Sequence, residues 1–380
     1  MNPWRVDRGV TPVATAEWEG RVSAARVIRL VVVVALAALL VVFVVMPQWR
    51  DAVHAIGVVS NVSAPLLLVG LGLELLSLCA YARLTSTALD PSSRPRFWRV
   101  ARIDVAGVGI SNSMPGGGPA SLALRFHLLT RSGTPGSAAV GGITAEVVLS
   151  NLALGALFGT GLLSSVAALP SAPYYRLAGA FMVGVFGTAV GGLAFALARP
   201  AITLRAVHRV AKRLPGDRAG YVTHAFAQTI RAVRSLAGNP RRFAAAVFWA
   251  ATNWALDVAA LWVMFAAFGT IAPLAPLVLV YALAAILALL PITPGGVGIV
   301  EGVMVPAFAA MGTPHGVAVL GVTAWRLVQY WMPMPLGAFA GASLMTHRAD
   351  GQGVLRSRRN WRGLLRGIRT SPLTRKPSRS

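Results

Sequence analysis

Ser113-Met114-Pro115-Gly116-Gly117-Gly118-Pro119 and Ile292-Thr293-Pro294-Gly295-Gly296-Val297-Gly298 are near-identical Gly-Pro clusters, each set within apolar sequence. A Pro-Gly-Gly run breaks any helix and bares backbone amides and carbonyls. Hydrocarbon cannot satisfy those groups, so inside a membrane such backbone survives only where it packs in protein or lines a cavity. Two breaks at matching places suggest a site that handles a transported or lipid molecule.

That the surroundings are membrane follows from composition. The chain has 380 residues, 56% hydrophobic and 12% charged, with a mean hydropathy of +0.65. These values belong to an all-α polytopic integral membrane protein and exclude a large soluble domain. The net charge of +23 comes from 33 Arg and 2 Lys against 12 acids, and most of the excess lies between or after the apolar stretches. It therefore reports orientation and attraction to anionic inner-leaflet lipid before any nucleic acid. Cys79 is the single cysteine, so neither an internal disulfide nor a cysteine metal cluster is available.

Six spans are expected, near residues 27–46, 61–82, 138–164, 175–198, 243–268 and 316–345. The first follows Arg21, Arg26 and Arg29 and has no small-residue cleavage site, so it reads as an uncleaved span. The 83–104 loop carries five arginines and the 199–242 loop nine with Lys212, whereas the 165–174 and 269–274 connections carry no charge. The basic loops are expected in the cytoplasm. Both termini, residues 1–26 and the basic tail 346–380, fall on the same side.

Between the spans lie two weaker regions, 105–130 and 275–312, each interrupted by one Gly-Pro cluster. Parity makes each a re-entrant hairpin or a pair of crossings, for at most eight crossings in all. The first has arms of about ten residues on this reading, too short to span. Laid side by side, the halves 27–164 and 175–345 match with opposite orientation. Glu74 lies 41 residues before Pro115 and Asp257 lies 37 before Pro294; Glu146 follows Pro115 by 31 and Arg326 follows Pro294 by 32. This spacing predicts an inverted repeat whose broken helices hold a substrate near the midplane.

Each cluster precedes a helical run, with Pro119 expected at a first helical position and Gly295 to Gly298 leading into Ile299. Free amides and the positive end of the helix dipole there would favour an anionic group. The candidate substrate-binding residues are Pro115, Gly116, Gly117, Gly118, Arg125, Pro294, Gly295, Gly296, Gly298, Glu301 and Arg326. The ordinary alternative for either cluster is a tight helix-helix turn. Glu74, Glu146 and Asp257 also fall inside spans, where each costs roughly 2.5 to 3.5 kcal/mol unless paired or hydrated. They are expected to pair with Arg326 or Arg125, or to couple charge by taking up protons; buried pairing that fixes helix register is the other reading. Asn253 and Trp254 could hydrogen-bond in the same cavity. Arg125, His127 and Arg131 are expected near the cytoplasmic mouth of the first hairpin.

The six histidines show no metal spacing, and neither a His-Glu-x-x-His nor a Gly-x-Ser-x-Gly pattern is present. No catalytic residue, metal or cofactor is expected. Within 199–242, Leu204, Val207, Val210 and Leu214, then Val222, Phe226, Ile230 and Val233, recur at helical spacing among basic residues. They predict two amphipathic helices on the inner leaflet, broken at Pro215-Gly216. The tail is rich in Arg, Ser and Pro and reads as disordered.

The run Leu290-Pro291-Ile292-Thr293-Pro294-Gly295-Gly296-Val297-Gly298-Ile299-Val300-Glu301-Gly302, with Arg326 and Tyr330-Trp331-Met332-Pro333 after it, resembles the signature of the flippase-like transmembrane region of bacterial lysylphosphatidylglycerol synthases and their stand-alone relatives. Pro115 to Pro119 with Leu124-Arg125 is similar to that family's first motif. The resemblance covers about residues 25–345. It implies a bacterial plasma-membrane protein, not an enzyme, that moves aminoacylated or otherwise modified phospholipid between leaflets, the soluble domain that makes aminoacyl lipid being absent from this chain. The Arg-rich, Lys-poor usage suggests a high-GC bacterium, so a polyprenyl-phosphate or glycolipid cargo stands beside an aminoacylated one. The alternative is a non-transporting membrane partner that anchors or activates a lipid synthase or glycosyltransferase.

Overall fold

The computed structural model describes residues 62–168, 184, 187–188, 191–192, 195–213 and 218–346, and every element within them is helical. The expected span at 27–46, most of that at 175–198, the Pro215-Gly216 break and the tail after 346 lie outside the described residues. In chain order the helices are α1 (Ala64–Ala88), α2 (Phe97–Ser113), α3 (Gly117–Arg131), α4 (Gly136–Ala168), α5 (Pro200–Ala211), α6 (Arg218–Ala237), α7 (Pro240–Ala267), α8 (Leu274–Ala288), α9 (Ile299–Ala310), α10 (His315–Arg326) and α11 (Pro333–Thr346). A 3-10 turn at Pro294–Gly296 precedes α9, and a π-helical stretch at Leu327–Trp331 joins α10 to α11. Three of the described helices are long and apolar enough to cross a membrane: Ala64–Ala88, Gly136–Ser165 and Pro240–Ala267.

The way α1 is buried identifies its solvent. It turns Gly70, Glu74, Ser77, Ala80 and Thr85 inward while Leu68, Val69, Leu75 and Leu76 face outward. In water this helix would be inside out. In lipid the large apolar side chains need no shelter, and small or polar residues make the helix contacts.

The partner of α1 is α7, antiparallel along its length. At one end Ser63 N donates to Ala267 O at 2.9 Å; at the other Arg242 Nη2 donates to Thr87 O at 3.1 Å and Leu89 O at 2.8 Å. Those last carbonyls of α1 have no partner within their own helix, and a cation at a helix C-terminus also meets the negative end of the dipole. Midway, Asn253 Nδ2 donates to Ser77 O at 3.1 Å and Ser77 Oγ at 2.8 Å, while Ser77 Oγ reaches Asn253 O at 3.1 Å. Asn253 thus locks two helices together and does not line a cavity. Asn239 caps α7, its side chain accepting from Arg242 N at 3.2 Å, and Pro240 fits the first helical position.

Around this pair α2 packs on α3 and α11, and α8 packs on α4 and α9. The α2–α11 crossing is close enough that a Cβ on Gly337 would stand 2.6 Å from Val105 O and 3.0 Å from Gly109 Cα. One core, with Leu261, Phe265, Tyr281, Met304, Phe308 and Trp325, lies among α7 to α10; Phe265 and Phe308 meet edge to face at 4.7 Å.

Three expectations change. The arms of the first hairpin are 17 and 15 residues, roughly 25 and 22 Å at the helical rise, and not about ten. The polar start of α2 hid its length, because Arg99 is exposed and Asp104 is neutralised inside the protein. The arms of the second hairpin are 15 and 12 residues. The 316–345 span is not one regular helix: it widens to π geometry before Pro333, whose ring and missing N–H disrupt the α-helical ladder, and Met332 N bonds to Leu327 O at 3.0 Å. Finally, the C-terminal end of the α6 stripe does not lie on lipid: Val233 packs with Leu236 against Leu84, Leu149, Ala246 and Ala250, and Ile230 is buried, whereas Phe226 is exposed.

Substituting Gly337 by Val is expected to force α2 and α11 apart and to destabilise the fold by about 1 to 3 kcal/mol, the usual cost of overpacking. Gly302→Ala, where an added Cβ meets nothing within 4 Å, is the control and is expected to leave the unfolding midpoint in detergent unchanged or higher.

Candidate functional site

Both Gly-Pro breaks come to one place. A Cβ on Gly116 would touch Pro291 Cβ at 3.9 Å. Asn112, at the end of α2, donates through Nδ2 to Tyr330 O at 3.0 Å, and Tyr330 donates its hydroxyl to Asn112 O at 2.8 Å. This reciprocal pair ties the first break to the π stretch beyond the second.

The second break is built around Arg326. Its Nε donates to Glu301 Oε1 at 2.7 Å, Nη1 to Gln329 Oε1 at 3.1 Å and Nη2 to Gly295 O at 3.1 Å, and the guanidinium lies 4.3 Å from the Tyr330 ring centroid. Glu301 Oε2 accepts from Gly298 N at 2.7 Å. That carboxylate therefore covers one of the unpaired amides that open α9 and sits at the positive end of its dipole. The site expected to attract an anion from outside holds one from within. Arg326 is 4% exposed and Glu301 8%.

Gly116, Gly295, Gly296 and Gly298 all have positive φ, and two glycines show how closely the breaks pack. Gly295 has φ of +52°, and a Cβ on it would run into the Tyr330 ring. Gly117 lies so close to the end of α2 that a Cβ would stand 2.5 Å from Ser111 O. Its N–H bonds to Met114 O at 3.0 Å, and α3 begins there, not at Pro119. Pro119 takes the third helical position, where its missing donor costs nothing. Of the remaining candidates, Pro115 and Gly118 are exposed, Pro294 and Gly298 half-buried and Gly296 buried.

Arg125 is not at a mouth. It is 2% exposed, and its donors are all directed at protein: Nε to Asp104 Oδ1 at 2.9 Å, Nη1 to Tyr81 Oη at 3.0 Å and Nη2 to Thr85 Oγ1 at 3.1 Å. Ion pairs of 2.8 Å join it to Asp104 and to Glu146. Four helices, α1 to α4, supply this cluster, which makes Arg125 the tie of the first half, each of its nitrogens engaged by protein and the side chain buried. His127 and Arg131 of the same helix are exposed. Glu146 joins Arg125, whereas Glu74 lies with Asp257 across the α1–α7 seam. Trp254 donates to Ser150 O at 2.9 Å, a packing role against α4.

Asp104, Asn112, Tyr281, Trp325, Gln329 and Tyr330 hold these networks together, and only Tyr330 belonged to a motif legible beforehand. Asp104 carried a signal, an acid within Ile103-Asp104-Val105-Ala106, masked by its place next to a basic loop. The neutral donors carried none.

Replacing Arg125 by Met leaves Asp104 and Glu146 buried without a cation, and the expected cost is about 3 to 5 kcal/mol. Adding Asp104→Asn and Glu146→Gln is expected to restore much of the unfolding midpoint. Normal stability of Arg125→Met with weakened lipid binding would return Arg125 to the binding site.

Comparison with known proteins agrees with this architecture. The family described as "Lysylphosphatidylglycerol synthase TM region" matches residues 26–337, which include all three long apolar helices, both Gly-Pro breaks and Arg326. No curated protein matches the chain. The match covers most of the chain, and the protein belongs to the lysylphosphatidylglycerol synthase transmembrane-region family, membrane domains associated with lipid modification.

Proposed function

We propose that the protein is a lipid translocator of the bacterial plasma membrane, without enzymatic activity, which passes an anionic or modified lipid between leaflets through the junction of the two Gly-Pro breaks. Aminoacyl-phospholipid, polyprenyl-phosphate and glycolipid share the chemistry such a junction could recognise. The observation that carries the reading is the Arg326–Glu301–Gly298 network. It is a buried guanidinium and a helix N-terminus, both engaged by one internal carboxylate. A lipid phosphate has the charge and acceptor geometry to replace that carboxylate on both partners. The arrangement described is then a closed state, in which Glu301 holds the place of cargo, and binding exchanges one anion for another without leaving Arg326 unpaired.

The inverted repeat belongs to this proposal. What supports it is the matching of contacts: α1 faces α7 antiparallel, the α2–α11 packing has its counterpart in α8–α4, and the α2–α3 hairpin in α8–α9. Each counterpart crossing also has a close glycine, Gly337 in one and Gly161 in the other, where a Cβ would stand 2.8 Å from Leu279 N. Hairpin arms of 17, 15, 15 and 12 residues fall short of the roughly 20 a helix needs to cross, which favours re-entrant hairpins. Two apolar grooves flank α4, about 560 Å³ against α7 and about 340 Å³ against α3, and offer acyl chains a path beside the polar junction.

A second reading, a membrane partner of a lipid synthase or glycosyltransferase, draws on the exposed arginines Arg205, Arg209, Arg231 and Arg234 of α5 and α6. A proteoliposome assay with fluorescent anionic, aminoacylated and polyprenyl-phosphate lipids separates the two. Arg326→Ala, which removes a charged hydrogen-bond partner, is expected to slow movement of one lipid class about 10- to 100-fold, with Glu301→Gln affected less because it keeps an acceptor. Unaltered rates in both folded variants would sink the site. Absence of lipid movement, with activity in cells lost on neutralising the α5–α6 arginines, would establish the partner reading.

A further inference from the structure

Glu74 and Asp257 meet where α1 and α7 cross. Both are nearly fully buried, 3% and 6% exposed. Asp257 is well supplied with donors: the Tyr281 hydroxyl to Oδ2 at 2.7 Å and the Trp325 indole N–H to Oδ1 at 2.6 Å. Glu74 stands one turn before Ser77 on α1 and Asp257 one turn after Asn253 on the antiparallel α7, a register that brings the two carboxyls together across the seam, and Glu74 Oε2 is buried with no donor directed at it among the described residues. Among the described residues the other buried carboxylates each have a guanidinium, Glu301 that of Arg326 and both Asp104 and Glu146 that of Arg125, whereas this pair has no described cation within ion-pair distance. The groups facing it are Tyr281 from α8 and, acting only through its field on Asp257, Arg326 from α10; the buried ionisable groups of α2, α3 and α4, Asp104, Arg125 and Glu146, belong to the Arg125 cluster, and Arg99, His127 and Arg131 are exposed.

Two carboxylates in contact and away from water cannot both be ionised, and one proton between them turns a repulsive acceptor pair into a hydrogen bond. The two donors on Asp257 favour its ionised form. The proton then belongs on Glu74, for which no other donor stands among the described residues to support a negative charge. We propose that Glu74 and Asp257 form a single proton-binding site across the α1–α7 seam, holding one proton while the seam is closed and releasing it only when the seam parts. On release, Glu74 loses one H⁺ and gains one negative charge beside Asp257. The Ser77–Asn253 lock, one turn away on both helices, must then yield or water must enter. The proton itself does not depend on the translocator reading, but its coupling to lipid movement rests on it.

Infrared spectroscopy of the full chain in nanodiscs across a pH series is the test. The wild type is expected to show the carbonyl stretch of a protonated carboxyl at neutral pH, lost in Glu74→Gln and kept in Glu146→Gln. No such band at neutral pH, or a band that survives in Glu74→Gln, would overturn the proposal. Should Glu74→Gln not fold, Asp257→Asn carries the same decision, because removing the anion is expected to shift that band and an unmoved band would count against the pair. In proteoliposomes the lipid flux of the wild type is expected to vary with pH and that of Glu74→Gln to be flat; a pH-dependent flux in Glu74→Gln would remove the coupling. A wild type that moves no lipid would end the translocator reading, while the infrared band would still decide the proton.

Discussion

The α1–α7 pairing is the contact on which the rest of the structure depends. Two helices lie antiparallel in lipid because α1 turns small and polar residues inward and large apolar ones outward, so that α7 can bring Met264 against Gly70 while its Leu261 and Phe265 fill the core. They are fastened at both ends by backbone groups that a helix cannot satisfy internally, and in the middle by Ser77 and Asn253. Two of the buried charged groups border this seam. The Arg125 cluster draws on α1 from one side, and Tyr281 and Trp325 reach Asp257 of α7 from the other.

The cost of burying charge explains why the networks are so complete. A lone carboxylate or guanidinium in low dielectric is far more expensive than a helix break, so each cation is met by acids and the remaining donors go to neutral acceptors. Arg125 and Arg326 solve the same problem with different consequences. Arg125 is enclosed by four helices and paired with two acids, which makes it part of the framework. Arg326 sits at a helix end beside irregular backbone and a π stretch, where its partners include a loop carbonyl and a capping carboxylate. Such partners can be exchanged without dismantling a helix, which is why the proposed binding role is assigned there.

Much of the membrane architecture was legible residue by residue. Apolar runs around Leu66, Val148 and Val258 gave the long helices, and the Gly-Pro clusters marked the hairpin tips, because proline and glycine act locally on the backbone. The intramembrane positions of Glu74, Glu146, Asp257, Glu301 and Arg326 were legible for the same local reason. Their pairing was not. Arg125 looked like part of an exposed helix end because His127 and Arg131 follow it in the same helix, and nothing local announces that Asp104, 21 residues earlier, turns to meet it. The length of α2 was misjudged through that same acid.

What the sequence by itself determined is the class of protein, the family, the helical segments and the two places where helices must break, all of which depend on side chains and their near neighbours in the chain. The tertiary structure alone decided which acid meets which base, that both breaks adjoin through Asn112 and Tyr330, that the Val233–Leu236 end of α6 is covered by protein, and that Glu74 faces Asp257 with no cation paired to either among the described residues. These depend on distance in space between residues far apart in the chain, and helices of similar apolar character carry no local mark of which partner they will bury.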